Sequence, residues 1–447
     1  MLIRFNVTNF LSFKEETEFN MLAGSPRSKK EHVYHQKGID FVRAAALYGA
    51  NGAGKSNLVK ALAFLQGLIV GGESTQYNKH FKLDDACERE PSIFEIEFVQ
   101  DDILFAYGLS ILKNKIIEES LYEIKEGQDD KVLFERKLDN SETNLVVAKE
   151  YQKDNKSKLL IELYEEKLLK TDELFLKKVD KDAIDFNEIR IAFNWFVYDL
   201  QIIYPHTKVN TAQLTSNESE DVFSFTQRII SRLDTGITSL NFEETSLEDF
   251  FGEDDKETQD WLKEELSRKE YISIEDNKGN VYMVTKRKGE IFVCQMIVNH
   301  KTNSEVSVSF DIDQESDGTQ RLLDILPIIH TAIKMPKVFI IDEINRSVHP
   351  TLTKELIKLF MDTKETKGQL IFSTHEAQLL DLNIFRQDEI WFAEKNKSGA
   401  TTLYPLSDFN VRSDLVLKNG YLNGRFGAIP FLGNLAELNW EEASDNG

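Results

Sequence analysis

The chain has 447 residues, of which 41% are hydrophobic and 11% aromatic, and this composition is typical of a folded protein rather than a disordered chain. The 54 lysines and arginines are outnumbered by 76 aspartates and glutamates, and the net charge of −22 argues against non-specific nucleic-acid binding and against association with a membrane surface. No apolar run approaches the roughly 18 residues that a membrane-spanning helix needs.

The amino terminus and the cysteines indicate the cellular compartment in which the protein is expected. Residues 1–5 read as the start of a strand, without a charged segment followed by an apolar stretch, so we expect no signal peptide. Cys87 and Cys294 are too few for a disulfide framework and form no CxxC zinc motif. We therefore expect a protein of the reducing cytoplasm.

The first predicted elements alternate strand, turn and helix. Residues 2–7 alternate with a period of two, as a strand with one buried face does. Residues 44–48 form a short apolar run that ends at a glycine loop, as a buried parallel strand would. The spacing of residues 56–65 predicts a helix directly after that loop.

The middle and the end of the chain differ in pattern. Residues 91–136 contain three runs typical of antiparallel strands, and residues 271–310 return to strands. Between them, residues 140–270 look mainly helical and highly charged, with an aromatic patch that we expect to be packed. This patch consists of Phe193, Trp195, Phe196 and Tyr198. Residues 316–395 then alternate helix and strand, which is the pattern of an α/β core.

The clearest motif is the glycine-rich loop between the predicted strand at 44–48 and the following helix. It reads Gly49-Ala50-Asn51-Gly52-Ala53-Gly54-Lys55-Ser56 and fits GxxxxGK[ST] in full. Glycines let backbone N–H groups turn inward around phosphates, and a helix amino terminus adds a favourable field. Lys55 would neutralise the β- and γ-phosphates, and Ser56 would ligate Mg²⁺. A chance glycine-rich turn is the alternative, and the flanking strand and helix argue against it.

Two carboxylates follow an apolar strand at residues 337–341. The carboxyl end of such a strand faces the ligand crevice of an open α/β sheet. Asp342 there can hold the Mg²⁺ shell, and Glu343 can act as the general base on the attacking water. An Asp-Glu pair after a strand is common in ordinary loops, so the assignment depends on the glycine-rich loop.

His375 ends the next apolar strand, at residues 369–374. A histidine at this position can donate to the γ-phosphate and respond to its loss. A lone histidine is more often structural, and the position one strand after Asp342 and Glu343 favours the functional interpretation.

Further residues give these motifs a family resemblance. Residues 315–320 resemble the signature motif of ABC ATPases, with Ser316 and Gly318 at the serine and second-glycine positions. Residues 345–350 lie where a D-loop would. The glycine-rich loop resembles that of the SMC, Rad50, RecF and OLD group. The closer resemblance is to the AAA15/AAA21 ATPases of abortive-infection loci, the RloA-like group, through residues 8–13, 234–237 and 421–430.

The resemblance implies an α/β fold with an ABC-type P-loop NTPase core, an antiparallel β subdomain and a mainly helical insertion. We expect an N-terminal ATPase lobe at 1–139, the insertion at 140–270 and a C-terminal ATPase lobe at 271–447. The long interval between Lys55 and Asp342 is consistent with inserted subdomains. The resemblance also implies ATP and Mg²⁺ as ligands, with Asn57 among the nucleotide-binding residues.

The signature-like helix start is expected to act between two copies of the chain. A helix amino terminus with a hydroxyl group is an anion site. In such ATPases it lies too far from the phosphate loop of its own subunit, so Ser316 and Gly318 would contact the γ-phosphate held by a second copy. We therefore expect a head-to-tail homodimer or a higher oligomer, closed by ATP and opened by hydrolysis.

The chain also departs from the family pattern. Leu11 stands where relatives often have a basic residue, and Glu315 and Asp317 replace the leucine and glycine of transporter ATPases. Gln76 and Gln100 are both candidates for the Q-loop glutamine, and neither lies in a clear motif.

Four functions compete at this stage: an ATPase switch, a DNA-repair or chromosome-maintenance ATPase, a transporter ATPase, and an ATPase that carries its own nuclease. The leading one is an ATPase switch in anti-phage defence with a separate effector, a toxin or a nuclease, because too few residues follow residue 395 for a nuclease domain of its own. A DNA-repair or chromosome-maintenance ATPase of the RecF or Rad50 type is the alternative. The net charge, the missing zinc hook and the absence of long heptads argue against it, although a local basic groove would revive nucleic-acid binding. A transporter ATPase would need a membrane partner, and the large insertion of strands and helices is unlike that class.

Overall fold

The computed structural model of the protein describes residues 1–24, 28–139, 142–179, 185–208, 220–233, 235–252, 254–276, 281–287, 289–409, 417–422 and 424–428. Four residues of the family-like segments, Asp234, Asn423, Ile429 and Pro430, lie outside the described residues. Among the helices that are described, none is long and apolar enough to cross a membrane.

The described chain contains both strands and helices, with runs of consecutive strands at β1–β5, β6–β10 and β13–β16. The strands are β1 Leu2–Thr8, β2 Thr17–Asn20, β3 Val33–Gln36, β4 Ile39–Val42, β5 Ala44–Tyr48, β6 Ser92–Gln100, β7 Ile103–Leu112, β8 Lys115–Glu123, β9 Lys131–Asp139, β10 Glu142–Val147, β11 Leu200–Ile203, β12 Ile237–Ser246, β13 Tyr271–Glu275, β14 Val281–Arg287, β15 Glu290–Lys301, β16 Ser307–Asp311, β17 Val338–Ile341, β18 Gln369–Ser373, β19 Ile390–Lys395 and β20 Thr401–Pro405. The helices are α1 Lys55–Val70, α2 Asn155–Leu163, α3 Phe175–Val179, α4 Asn187–Asn194, α5 Glu220–Ile230, α6 Leu247–Phe251, α7 Lys256–Glu265, α8 Asp317–Lys334, α9 Pro350–Asp362 and α10 Leu417–Leu422.

These elements form two compact units. The first comprises Met1–Ile202, Ile340–Asp342 and Gln369–Gly447, and the second comprises Ile203–Phe339 and Glu343–Gly368. The chain first passes from the first unit to the second after Ile202.

An antiparallel sheet of seven strands forms one layer of the first unit, in the order β10-β9-β8-β7-β6-β1-β2. Its side chains alternate as the sequence predicted. In β7, for example, Phe105, Tyr107 and Leu109 are buried, and the residues between them are partly exposed. This alternation is typical of a sheet with one buried face. The predicted antiparallel strands at 91–136 are therefore confirmed.

A second sheet has the order β11-β17-β18-β5-β19-β20. Strand β5 pairs in parallel with β18 and β19, whereas β20 pairs antiparallel with β19. Every residue of β5, β17 and β18 is buried, which explains their continuous apolar sequences. The predicted α/β class, with a P-loop core and an antiparallel β subdomain, is confirmed.

The helical segment after β10 packs on the seven-stranded sheet. Trp195 stacks on Phe98 of β6, with ring centroids 4.2 Å apart and an interplanar angle of 16°. Phe196 meets the ring of Tyr107 of β7 edge-on at 5.8 Å. Both side chains are completely buried, so the expectation of a packed aromatic patch is confirmed, while Tyr198 in the same patch is 61% exposed.

A buried ion pair also holds this segment to the sheet. Glu119 of β8 accepts hydrogen bonds from the backbone N–H groups of Phe175 at 2.7 Å and Leu176 at 3.0 Å. Arg136 of β9 lies beside Glu119 and donates to the carbonyl oxygen of Lys170 at 2.8 Å. Complete burial raises the pKa of Glu119 despite these donors, because desolvation disfavours the charged carboxylate.

The second unit contains an antiparallel sheet in the order β12-β15-β14-β13, with β16 also paired to β15. Helices α6 and α7 cover part of it through a cluster that includes Leu247, Leu262 and Val284. The predicted strands at 271–310 are thus confirmed. Strand β12, however, lies in the stretch expected to be mainly helical. It pairs with β15 from Ile237 to Ser246, so the sheet continues into that stretch.

We predict that Trp195→Ala lowers the free energy of unfolding of the first unit by about 3–5 kcal/mol, because it leaves a cavity against Phe98. Urea unfolding followed by circular dichroism measures the shift. Tyr198→Ala, on the exposed side of the same helical turn, is the matched control and should change little. Equal unfolding midpoints for the two variants would contradict the packing described.

Candidate functional site

The glycine-rich loop, residues 49–56, connects the buried strand β5 to helix α1. Gly54 is the residue before α1 and has φ +110°, a left-handed conformation that side chains with a Cβ rarely adopt. A Cβ at Gly54 would also overlap the side chain of Thr401. Both reasons require glycine at this position, so the loop can turn tightly into the helix with its N–H groups at the helix amino terminus.

Lys55 supplies a buried positive charge at this loop. It is the first residue of α1 and is only 8% exposed. Its Nζ donates to the carbonyl oxygens of Gly49 at 2.6 Å and Ala50 at 3.0 Å. The ammonium group is therefore held over the loop itself, where phosphate oxygens would replace these carbonyl oxygens.

Asp342 joins three segments of the first unit. It follows β17, and its Oδ1 accepts hydrogen bonds from Ser56 Oγ at 3.1 Å and from Ser373 Oγ at 2.5 Å. The carboxylate is 4% exposed. The structure thus brings the two predicted Mg²⁺ residues, Ser56 and Asp342, into direct contact. A hydroxyl and a carboxylate fit Mg²⁺, which prefers oxygen ligands and usually keeps several waters.

His375 lies just beyond the end of β18 in the same unit. The residue before it, Thr374, donates its N–H to the carbonyl oxygen of Leu47 at 3.0 Å, two residues before the glycine-rich loop begins. The His375 side chain itself is exposed. The end of β18 therefore lies beside the strand that leads into the loop, and His375 follows that end directly.

Glu343 follows Asp342 directly and begins the 343–368 part of the second unit. Its φ is +52°, in the left-handed region that a residue with a long side chain rarely occupies. The turn continues with a hydrogen bond from the N–H of Arg346 to the Glu343 carbonyl oxygen at 2.9 Å. Such strained residues cluster at functional sites, where surrounding structure holds them.

Ser316 and Gly318, also in the second unit, begin helix α8. Ser316 is the N-cap, and its Oγ accepts the N–H of Thr319 at 3.2 Å. A Cβ on Gly318 would lie 2.6 Å from the carbonyl oxygen of Ser347. The signature-like segment and the D-loop-like segment are therefore packed against each other, and this contact requires glycine at 318.

Thr401 and Ser12 support the loop, and sequence reasoning missed both. Thr401 Oγ1 lies 2.9 Å from the carbonyl oxygen of Ala53 and 2.8 Å from Ser12 Oγ. Asn57 Nδ2 donates to the same Ser12 Oγ at 2.7 Å. Thr401 is far from the loop in sequence and belongs to no motif, because its position depends on the pairing of β20 at the edge of the sheet.

A cleft of about 340 Å³ lies beside Asn57 in the first unit. Leu11 lines it. Three lysines, Lys79, Lys82 and Lys395, line it as well, so positive charge reaches this cleft from other parts of the chain.

Comparison with known proteins identifies the family of the chain. The model of the family described as "AAA domain, putative AbiEii toxin, Type IV TA system" matches residues 44–154 and 150–381. This span contains the glycine-rich loop, Asp342 and His375. The chain belongs to this family of P-loop ATPases. No curated protein matches the chain.

Two solved structures show weak similarity over most of the chain. The SMC head domain from Thermotoga maritima is 12% identical, with 90% of this chain and 98% of that chain covered, at a TM-score of 0.36. An SMC head bound to the C-winged helix domain of ScpA is 10% identical, with 90% and 97% covered, at a TM-score of 0.40.

We predict that Thr401→Val weakens ATP binding about 5- to 10-fold, since one hydrogen bond contributes about 1 kcal/mol and its loss frees the loop. Isothermal titration with ATP and Mg²⁺ measures the affinity. Thr402→Val is the matched control, because the neighbouring hydroxyl is exposed and bonds to Glu394. Identical affinities for both variants and the unaltered protein would show that Thr401 does not support the loop.

Proposed function

We propose that the protein binds and hydrolyses ATP with Mg²⁺ and works as a nucleotide-driven dimer switch in prokaryotic anti-phage defence, together with a separate effector protein. The observation that carries the ATPase part is the contact of Ser56 with Asp342. It brings a phosphate-loop hydroxyl and a strand-end carboxylate together although they are distant in sequence.

Different residues of the first unit would bind the phosphates, the Mg²⁺ ion, and the base and ribose of ATP. Lys55 and the N–H groups of residues 49–57 would hold the phosphates, since they provide positive charge and donors at a helix amino terminus. Ser56 and Asp342 would hold Mg²⁺, which neutralises phosphate charge when bound. The cleft beside Asn57 offers space for the base and ribose, next to the loop.

Hydrolysis needs a base and a group that responds to the γ-phosphate. We assign the base to Glu343, which would accept the proton of the attacking water. The left-handed backbone at this residue supports a constrained, functional position. His375 would donate to the γ-phosphate, because it lies past the strand end that is bonded to Leu47.

The dimer part of the proposal depends on Ser316 and Gly318. The amino terminus of the 18-residue helix α8 favours anions, and Ser316 adds a hydroxyl there. We propose that this end of α8 contacts the γ-phosphate held by a second copy of the chain, head to tail. ATP would then stabilise the closed dimer, because the γ-phosphate adds contacts only in that state.

The defence role draws on the family description, which names a putative AbiEii toxin and a toxin–antitoxin system. We propose that the toxic or nuclease activity belongs to a partner protein and that the ATPase controls it. A DNA-repair or chromosome-maintenance ATPase is the second candidate. DNA-stimulated ATP hydrolysis in the absence of any partner protein would favour that candidate.

We predict opposite effects for two substitutions in the second unit. Glu343→Gln should trap an ATP-bound dimer, because ATP still binds while the water loses its base. Ser316→Arg should leave ATP binding intact but prevent both association and hydrolysis. Sedimentation with ATP and Mg²⁺, together with ATPase rates, measures both effects.

Exposed residues of the same unit provide the controls. Glu365→Gln and Ser304→Arg repeat the chemical changes at exposed positions and should behave as the unaltered protein. No ATP-dependent association of Glu343→Gln, combined with full activity of Ser316→Arg, would rule out the shared site.

A further inference from the structure

Arg321, on the second turn of α8, is a buried arginine with incomplete pairing. It is 5% exposed. Its Nη1 lies 3.4 Å from the carbonyl oxygen of Thr207, while its Nε and Nη2 have no hydrogen-bond partner in the described parts of the chain. Burial lowers the pKa of this guanidinium, but arginine stays charged in proteins. Burying a charge without partners for its donors is costly, so an anion bound to these donors would stabilise Arg321.

A second arginine contacts the same segment of the chain, residues 206–207. Arg346, which is exposed, donates from Nη1 to His206 Nδ1 at 2.9 Å. Because His206 and Thr207 are consecutive, the two guanidinium groups bond to neighbouring residues of one segment. After burial, the charge of Asp324 has the larger effect on Arg321 and favours its charged form, whereas the charge of Arg346 has a smaller, opposite effect. The Nε and Nη2 of Arg321, which are unpaired within the described residues, remain available to a further anion.

His206 adds a further donor. Arginine has no acceptor, so Nδ1 of His206 must accept the bond from Arg346 and the ring proton lies on Nε2. The contact of Gly318 with Ser347 fixes the position of the neighbouring Arg346 against the first turn of α8. The cluster is therefore held by three separate contacts within the second unit.

We propose that Arg321, Arg346 and His206 form a phosphate-binding site. Guanidinium groups match the oxygens of phosphate in pairs, and three donor groups suit its several oxygens better than the two oxygens of a carboxylate. The phosphate is either free inorganic phosphate or the terminal phosphate of a nucleotide held by a second copy. The second source depends on the proposed function, whereas the first does not.

The test uses inorganic phosphate and removes the competing loop. In the full-length Lys55→Ala variant, the glycine-rich loop loses its lysine, so remaining phosphate binding reports on the second unit. Isothermal titration should give a Kd on the order of 1 mM, as expected for so small a ligand. Adding Arg346→Ala should weaken binding at least tenfold. Arg321→Lys should also weaken it, because lysine cannot form the paired bonds.

Arg268→Ala is the matched control, because Arg268 is an exposed arginine of the same unit that already pairs with Glu264. It should leave phosphate binding unchanged. If Lys55→Ala binds no phosphate in a saturable way up to the order of 20 mM, or binds it equally with and without Arg346, the proposal is wrong. Arg346 is exposed, so its replacement tests the site even if an Arg321 variant does not fold.

A second experiment distinguishes the two sources. Arg346→Ala alone is tested for ATP-dependent association. Loss of both phosphate binding and association indicates the nucleotide of a second copy, whereas loss of phosphate binding alone indicates free phosphate. Failure of the unaltered protein to bind ATP would contradict the proposed function but would leave the phosphate titration of Lys55→Ala valid.

Discussion

The carboxylate of Asp342 is the contact on which the arrangement of the site depends. Ser56 is the second residue of α1, Asp342 follows β17 and Ser373 ends β18, and the three meet through one oxygen of the buried Asp342 carboxylate. A buried carboxylate needs such donors, since desolvation without them would be costly. The same requirement holds the start of α1 at the carboxyl ends of two neighbouring strands, β17 and β18, and α/β proteins bind ligands at such strand ends.

The loop around Lys55 depends on contacts from further away. Gly54 fits against Thr401, and Thr401 and Asn57 share the hydroxyl of Ser12. These contacts limit how the loop can move, so its N–H groups are aligned in advance of any ligand. Binding energy is then not spent on ordering the loop, which is the advantage of a preorganised site.

Local patterns predicted the central part of the site because each motif carries its own mechanism. The glycine-rich loop, the strand before Asp342 and the strand before His375 all have the secondary structure that the sequence predicts. Thr401 was missed because only the pairing of β20 with β19 brings it to the loop. Strand β12 was missed because glutamates at its exposed positions resemble the charged helices around it.

The second unit shows the same limit of sequence reasoning. The helix start at Ser316 was predicted, and its cap is present. The meeting of Arg321 and Arg346 at residues 206 and 207 was not predicted, because it joins three segments that share no motif. Such long-range contacts have no periodic or local signature, although the charge of each residue is plain in the sequence.

Isothermal titration of Lys55→Ala with ATP and Mg²⁺ tests the central claim most directly. Lys60→Ala, an exposed lysine on the same helix, is the control. The account predicts saturable ATP binding by the unaltered protein and by Lys60→Ala, and none by Lys55→Ala, which lacks the cation aimed at the phosphates. Unchanged ATP affinity in Lys55→Ala would contradict the assignment of residues 49–56 as the phosphate-binding loop.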